Sequence, residues 1–247
     1  MQYRLAFFAR IFGLFISYTS TIATLWIMLA NFQDLKGWSL PEVIFLLGMA
    51  VLAWGISTLF FEEFRSLDEY IVEGTFDRFL VRPINPFLHY LSIRANVAAV
   101  GQLFFSLGAF VWSSLYLGLQ WTAWKVVFLL MSILSGVLIM GGAMVFIASL
   151  AFWTTRSERL YWVIVYPARQ LTYYPLSIYP RAVQWILTFL IPFGFLNYYP
   201  AQLLLEKFDA AARTPLNYLG PVVALLFFAS SYQVWLWGLK RYQSTGS

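Results

Sequence analysis

Six carboxylates (Glu62, Glu63, Asp68, Glu69, Glu73, Asp77) and four arginines (Arg65, Arg78, Arg82, Arg94) crowd into positions 62–94 of a chain of 247 residues. Charge at that density suits proton transfer, phosphate or metal binding, or the docking of a partner. A phosphate-binding loop needs a glycine-rich turn closed by Gly-Lys-Ser or Gly-Lys-Thr, and no Gly-Lys pair occurs. A zinc protease helix needs two histidines one turn apart, whereas His89 is the single histidine and cysteine is absent. A Ser-His-Asp arrangement would have to recruit His89, beside Tyr90 and just after Pro86, and there is no Gly-x-Ser-x-Gly elbow. An acid and a base acting on lipid would draw on His89, Asp77 or Glu158, which no spacing brings to one depth. No catalytic residue and no metal ligand is assigned, and docking is the chemistry that remains.

The elements that position these charges are short. Ser66 and Glu69 have the spacing of a capping box, which predicts a helix starting there. From Leu67, the residues Tyr70, Ile71 and Gly74 fall on one side, with Asp68, Glu69 and Glu73 on the rest of the surface. The pattern predicts an amphipathic helix lying along the membrane. Gly74 interrupts it, positions 75–80 resume it, and Arg82-Pro83 ends it, because the residue before proline is pushed out of helical angles. The excess of acid over base argues for a protein partner, since anionic headgroups would disfavour it.

The surrounding chain is 61% hydrophobic, 20% aromatic and 11% charged, which excludes an ordinary soluble globule. Charge-free runs cover 11–30, 43–61, 95–124, 126–155, 182–205 and 214–239, each long enough for a helix of about 20 residues to cross the hydrocarbon. They place six spans near 11–30, 43–61, 95–118, 126–153, 182–198 and 218–239. With the N-terminus cytoplasmic, twelve of the 16 basic residues fall in the inner segments, and Lys36, Lys125, Lys207 and Arg213 stay outside. Both termini are therefore expected in the cytoplasm. The net charge of +5 follows from this bias and implies no nucleic acid.

Lys125, between Trp121 and Trp124, marks a hairpin of spans three and four at the outer surface. The stretch 160–179 carries Arg169, Gln170, Pro167 and Pro175. An arginine at mid-membrane costs at least about 2.5 kcal/mol, so the stretch reads as interfacial or a shallow re-entry on the inner side. Prolines 192, 200 and 215 predict that the fifth span breaks at the outer face and continues as a short helix over 201–208. The six spans then carry no ionisable group. Small residues along span four (Ser132, Gly136, Gly141, Gly142, Ala143) suit close helix packing. Among the polar groups left at depth, Tyr18, Thr21 and Gln102, with Tyr198 and Tyr199, are the candidates for lining a pathway.

Three motifs stand out: Glu73-Gly-Thr-Phe-Asp-Arg-Phe-Leu-Val-Arg-Pro83, Tyr174-Pro-Leu-Ser-Ile-Tyr-Pro180 and Ile191-Pro-Phe-Gly-Phe-Leu-Asn-Tyr-Tyr-Pro-Ala201. With them the chain resembles permease subunits of ATP-binding-cassette exporters of the second ABC type. That resemblance implies an all-α polytopic membrane protein over 1–247: six transmembrane helices, a cytoplasmic coupling helix between helices 2 and 3, and short outer helices before helix 6. It implies an ATPase-coupling surface of Ser66, Glu69, Glu73, Gly74, Phe76, Asp77, Arg78, Leu80, Arg82 and Pro83, joined by Arg156 and Glu158 of a second contact over 154–159. The amphipathic N-terminal helix usual in the fold is reduced to 1–10. The resemblance further implies two separate ATPase subunits that bind ATP and Mg, no cofactor in this chain, and a second permease copy or sibling. The setting it implies is a bacterial inner membrane. The cargo it implies is an amphiphilic, lipid-linked, saccharide or drug-like molecule, exported. A membrane-embedded lipid-modifying enzyme and a non-transporting assembly subunit stay open as alternatives.

Overall fold

In lipid every backbone amide must be satisfied within the chain, so long apolar runs become helices. The computed structural model describes residues 2–32, 34–93, 96, 99–154, 156–207 and 214–243, and among them it has helices and no strands. The protein is an all-α polytopic membrane protein.

Helix α1 runs unbroken over Gln2–Phe32, with no separate helix before it among the described residues. Helix α2, Leu40–Phe61, starts beside Ser39, whose backbone N–H and hydroxyl both donate to Glu42. It is buried along most of its length, as the central helix of a bundle must be. Helix α6 (Ala99–Tyr116) and helix α7 (Ala123–Ser149) flank it, and α13 (Gly220–Arg241) packs on α7.

Small residues allow these approaches, as expected for span four. Gly136 faces Ala53, Gly141 the Phe61 ring and Gly142 the Phe227 ring. The tightest crossing is at Gly48, where an added Cβ would lie 3.0 Å from the Phe110 backbone nitrogen and 3.1 Å from its Cα. At Gly55 the nearest obstacle is the tip of Leu103, which can rotate away. Gly48→Ala is therefore expected to lower stability by about 1–3 kcal/mol through forced separation of α2 from α6. Gly55→Ala should cost clearly less, and thermal midpoints of the two solubilised variants compare them directly.

Between α2 and α6 the chain stays at one end of the bundle. A 3-10 helix, Glu62–Ser66, leads into α3 (Leu67–Val72), α4 (Asp77–Leu80) and α5 (Pro86–Leu91). The α1–α2 connection lies at the opposite end. After α7 and α8 (Ala151–Thr154) come α9 (Ser157–Leu160), a π-helical stretch (Tyr161–Val165) and α10 (Tyr166–Leu171).

These last three form one continuous helical rod, and its ends settle where it goes. At its start Glu158 N donates to Asp68 of α3, 3.1 Å; just beyond its finish Ser177 O accepts from Lys36 of the α1–α2 connection, 3.0 Å. The rod thus crosses the bundle from the 62–93 end to the far end.

This corrects the expected fifth span. The stretch 160–179 is neither interfacial nor a shallow re-entry, and 182–198 does not cross. Instead Arg181–Leu190 and Phe193–Leu204 form a pair bent by 80° at Pro192. Ser177, before the pair, is bonded to Lys36; Lys207, after it, donates to both Glu42 oxygens at 2.5 and 2.6 Å. Both limbs therefore begin and end at the α1–α2 end, as a re-entrant hairpin does. Its tip reaches the interior, where Leu196 lies beside Gly136. Asn197 Nδ2 fastens it, donating to Leu46 O and Thr172 O at 3.0 and 2.6 Å. The short helix α12 is Tyr198–Leu204, earlier than the expected 201–208, whose last residue is outside the described residues. Lys125, in the first turn of α7, pairs with Glu206 at 2.7 Å at the same end.

Candidate functional site

The segment 62–93 has an inner side and an outer side. Leu67, Ile71, Phe76 and Phe79 are buried against the protein rather than laid on a membrane surface. Phe64, Phe76, Phe87 and Tyr90 place their rings around Trp235 of α13, with centroids 5.4, 6.1, 5.6 and 6.1 Å away. The first three are edge-to-face, and such pairs contribute about 0.5–1.5 kcal/mol each beyond area burial. The loop is consequently clamped to the last helix as well as joined to α2 and α6. Burial pushes the Tyr90 hydroxyl well above its usual range, so it stays a donor, and it bonds Glu63 O at 2.9 Å.

Several expected roles move. Ser66 precedes α3 but makes no capping bond: the Glu69 N–H that it would hold donates to Asp68 Oδ1 instead. Phe76 is fully buried, and therefore packs rather than docks. Asp68 is not on the solvated surface: it is 9% exposed and accepts from Glu158 N and Glu69 N, both at 3.1 Å. Gly74 does interrupt the helix, with φ of +70°, a conformation that a side chain would strain.

On the outer side Glu69, Glu73, Arg78, Leu80, Arg82 and Pro83 are exposed. Glu63, Ser66, Glu69, Tyr70, Glu73 and Arg78 line a shallow groove of about 270 Å³. Arg78 lies over the Tyr70 ring at 5.2 Å. Beside the groove runs an apolar edge of which the sequence reading named only Leu80: Val72, Leu80, Val81, Ile84 and Leu88 are all exposed, Val81 by 81%. Arg156, just before α9, is exposed, and Glu158 accepts from Trp162 Nε1 at 3.2 Å and faces Arg65 at 3.7 Å. Arg94 and Thr155 are outside the described residues.

Asp77 accepts from the Tyr242 hydroxyl at 2.7 Å, which latches the chain just after α13 to α4. Burial, then the neighbouring carboxylate, push the Tyr242 hydroxyl from 10 up to about 12. A value raised on folding means that the latch stabilises fully below pH 10 and is lost as pH rises through 12. Tyr242→Phe keeps the ring contact with Phe76 at 5.1 Å and is expected to be less stable by about 0.5–1.5 kcal/mol below pH 10. Thermal melts of both forms against pH should show that difference closing between pH 10 and 12.

A second site lies within the bundle. Three pathway candidates, Tyr18, Thr21 and Gln102, line one cavity of roughly 400 Å³ between α1, α2, α6 and the 157–171 rod. Tyr198 and Tyr199 do not join them. Tyr198 packs on Trp38 at 5.7 Å, and Tyr199 shares a hydrogen bond with Thr188 at 2.7 Å inside the hairpin. The cavity also holds Arg169, overturning the expectation of spans without ionisable groups. Its side chain avoids lipid by stacking over Trp54 at 4.3 Å and Tyr166 at 4.9 Å, contacts worth about 2 kcal/mol or more where water is excluded.

The chain is a bundle of crossing helices with a re-entrant hairpin at one end and a structured loop clamped at the other. His89 faces Arg82 at 3.2 Å, Asp77 faces Tyr242 and Glu158 faces Trp162, so the acid and base of the enzyme alternative each have a different partner. The family model described as ABC-2 family transporter protein matches residues 15–246. The chain belongs to that family. No curated protein and no solved structure matches it. It is a multi-pass membrane protein and a permease component of an ABC transporter. Of the permease's notable side chains, Arg169, Trp54, Asp68, Trp235 and the apolar edge were missed by sequence reasoning. The signal for Arg169 was a lone charge in an otherwise aromatic stretch, from Tyr161 to Tyr174.

Proposed function

We propose that this permease is driven by two separate ATPase subunits, which bind ATP and Mg and dock on the outer side of the 62–93 segment. The 62–93 end is then cytoplasmic in a bacterial inner membrane, with both chain termini on that side. Two permeases, identical or sibling, enclose a pathway that exports an amphiphilic, lipid-linked, saccharide or drug-like molecule.

The observation that carries this reading is the two-sided build of the segment. One side is locked by aromatic rings to α13, while the other leaves an apolar edge around Val81 and an acidic groove without cover. Exposed apolar surface rimmed by charge marks a protein interface. ATPase closure pushing on this edge moves α2, α6 and α13 together, since the segment is continuous with the first two and packed on the third. Glu69, Glu73, Arg78 and Arg82 form the polar rim. Arg156 and Glu158 follow through the Asp68 bond.

The deciding experiment is purification of the tagged chain from native membranes. An ATPase subunit is expected to copurify, and its hydrolysis to respond to candidate cargo in reconstituted vesicles. A chain that is fully active in lipid turnover by itself, or whose position 73 is labelled from outside intact cells, would overturn the reading.

A further inference from the structure

We propose that the cavity around Arg169 binds a monoanionic, hydroxylated headgroup, a phosphodiester on glycerol or sugar, with Arg169 as its charge partner. This deepens the permease reading and rests on it for the step that moves the ligand.

The argument begins with an unbalanced charge. Arg169 is 7% exposed, its Nε has no hydrogen-bond partner, and no carboxylate among the described residues forms an ion pair with it. The Trp54 and Tyr166 rings offset part of the cost of desolvating a guanidinium, but an arginine fork is satisfied by paired oxygens. An ionisable side chain at membrane depth that faces a cavity marks a ligand pathway.

The neighbouring groups state what the ligand must carry. Trp54 Nε1 and Thr58 Oγ1, one turn apart on α2, are buried and have no partner, and both can donate. Unmet donors around a cavity call for an acceptor-rich ligand. Gln102 Oε1, also unpartnered, accepts and so asks for a hydroxyl. Along α1, Ser17, Ser20, Thr21 and Thr24 line the cavity on one helical face. Thr21 and Thr24 donate their own protons to Ser17 O and Ser20 O, at 3.1 and 2.9 Å, which leaves their oxygens as acceptors for further ligand hydroxyls.

Charge and size narrow the class. Glu62 and Arg65 also line the cavity but are paired with each other, so Arg169 supplies one net positive charge. That matches a phosphodiester, and the Glu62 carboxylate disfavours a second negative charge. A volume near 400 Å³ is in the range of small-ligand sites. The wall includes the π-helical turn Tyr161–Val165, a wide turn of the sort often found at functional sites.

The test is native mass spectrometry of the full-length chain in detergent, titrated with phosphatidylglycerol or with phosphatidylcholine of the same acyl chains. Phosphatidylglycerol is expected to bind about tenfold tighter, and Arg169→Gln to erase the preference. Displacement by glycerophosphoglycerol, the monoanionic diester that phosphatidylglycerol leaves on deacylation, would assign the site to the free headgroup, and lack of displacement to its lipid-borne form. Equal binding of the two lipids, or a preference retained in Arg169→Gln, would overturn the proposal. If that variant cannot be purified, Thr58→Val with Gln102→Leu is expected to weaken phosphatidylglycerol binding roughly threefold or more, and unchanged binding would equally overturn it. No lipid preference in a chain that copurifies with an ATPase from native membranes refutes the site alone. A lipid preference in a chain with which no ATPase copurifies from native membranes refutes the ATPase-driven reading and leaves the site.

Discussion

Leu80→Glu combined with Val81→Glu is expected to abolish copurification of the ATPase and reduce ATP-driven transport at least about tenfold, since two charges buried at an interface cost several kcal/mol. Both side chains are exposed, Val81 almost entirely and Leu80 by 41%, so the bundle itself loses little packing. The variant should reach the membrane in normal amount and melt at the wild-type temperature. Glutamates facing lipid would behave otherwise, lowering insertion and yield before any effect on association. Normal copurification in the double variant would refute the docking edge, whatever happened to transport.

Asp68→Ala is expected to break force transmission rather than docking. It leaves the half-buried Glu158 N–H without its partner and cuts the hydrogen bond that ties α3 to the start of the 157–171 rod. Losing such a bond costs about 0.5–1.5 kcal/mol, enough for the two segments to part more often during the cycle. ATP hydrolysis should persist while transport per ATP falls several-fold. Asp68→Asn keeps an acceptor oxygen and should restore most of the coupling. Proteoliposomes measuring both rates separate these outcomes, and an unchanged transport-to-hydrolysis ratio in Asp68→Ala would remove Asp68 from the pathway of force. Arg65, stacked on Tyr161 and Trp162 at 4.8 and 4.6 Å, is a second tie between the same segments, so some coupling should survive.

The 62–93 segment was partly legible. The break at Gly74 and its resumption at Asp77 follow from local backbone preferences, which neighbouring residues alone decide. The two-faced pattern was also visible, but not what each face met. Leu67 and Ile71 read as lipid-facing and proved to be core, because the end of α7 with α8 and α9, far along the chain, packs against α3. Asp68 read as solvated for the same reason: its acceptor role depends on Glu158, 90 residues away. In the cavity, Tyr18, Thr21 and Gln102 were nameable as polar groups at depth, whereas Arg169 was turned away by its own insertion cost.

What the sequence by itself determined was the class: charge-free runs of spanning length, small residues where helices must approach, and a charged loop between the second and third spans. These depend on composition and local spacing, and the bilayer enforces them on any chain of this kind. Only the tertiary structure decided which of two proline-broken stretches crosses. A hydropathy count prices every residue as though it met lipid, so it rejected the stretch with Arg169 and accepted 182–198. In the folded bundle Arg169 meets Trp54 and Tyr166 instead, and Lys36 and Lys207 hold both ends of the apolar stretch at one surface. The cost that governs insertion is that of the final surroundings, and those are made by helices far apart in the chain.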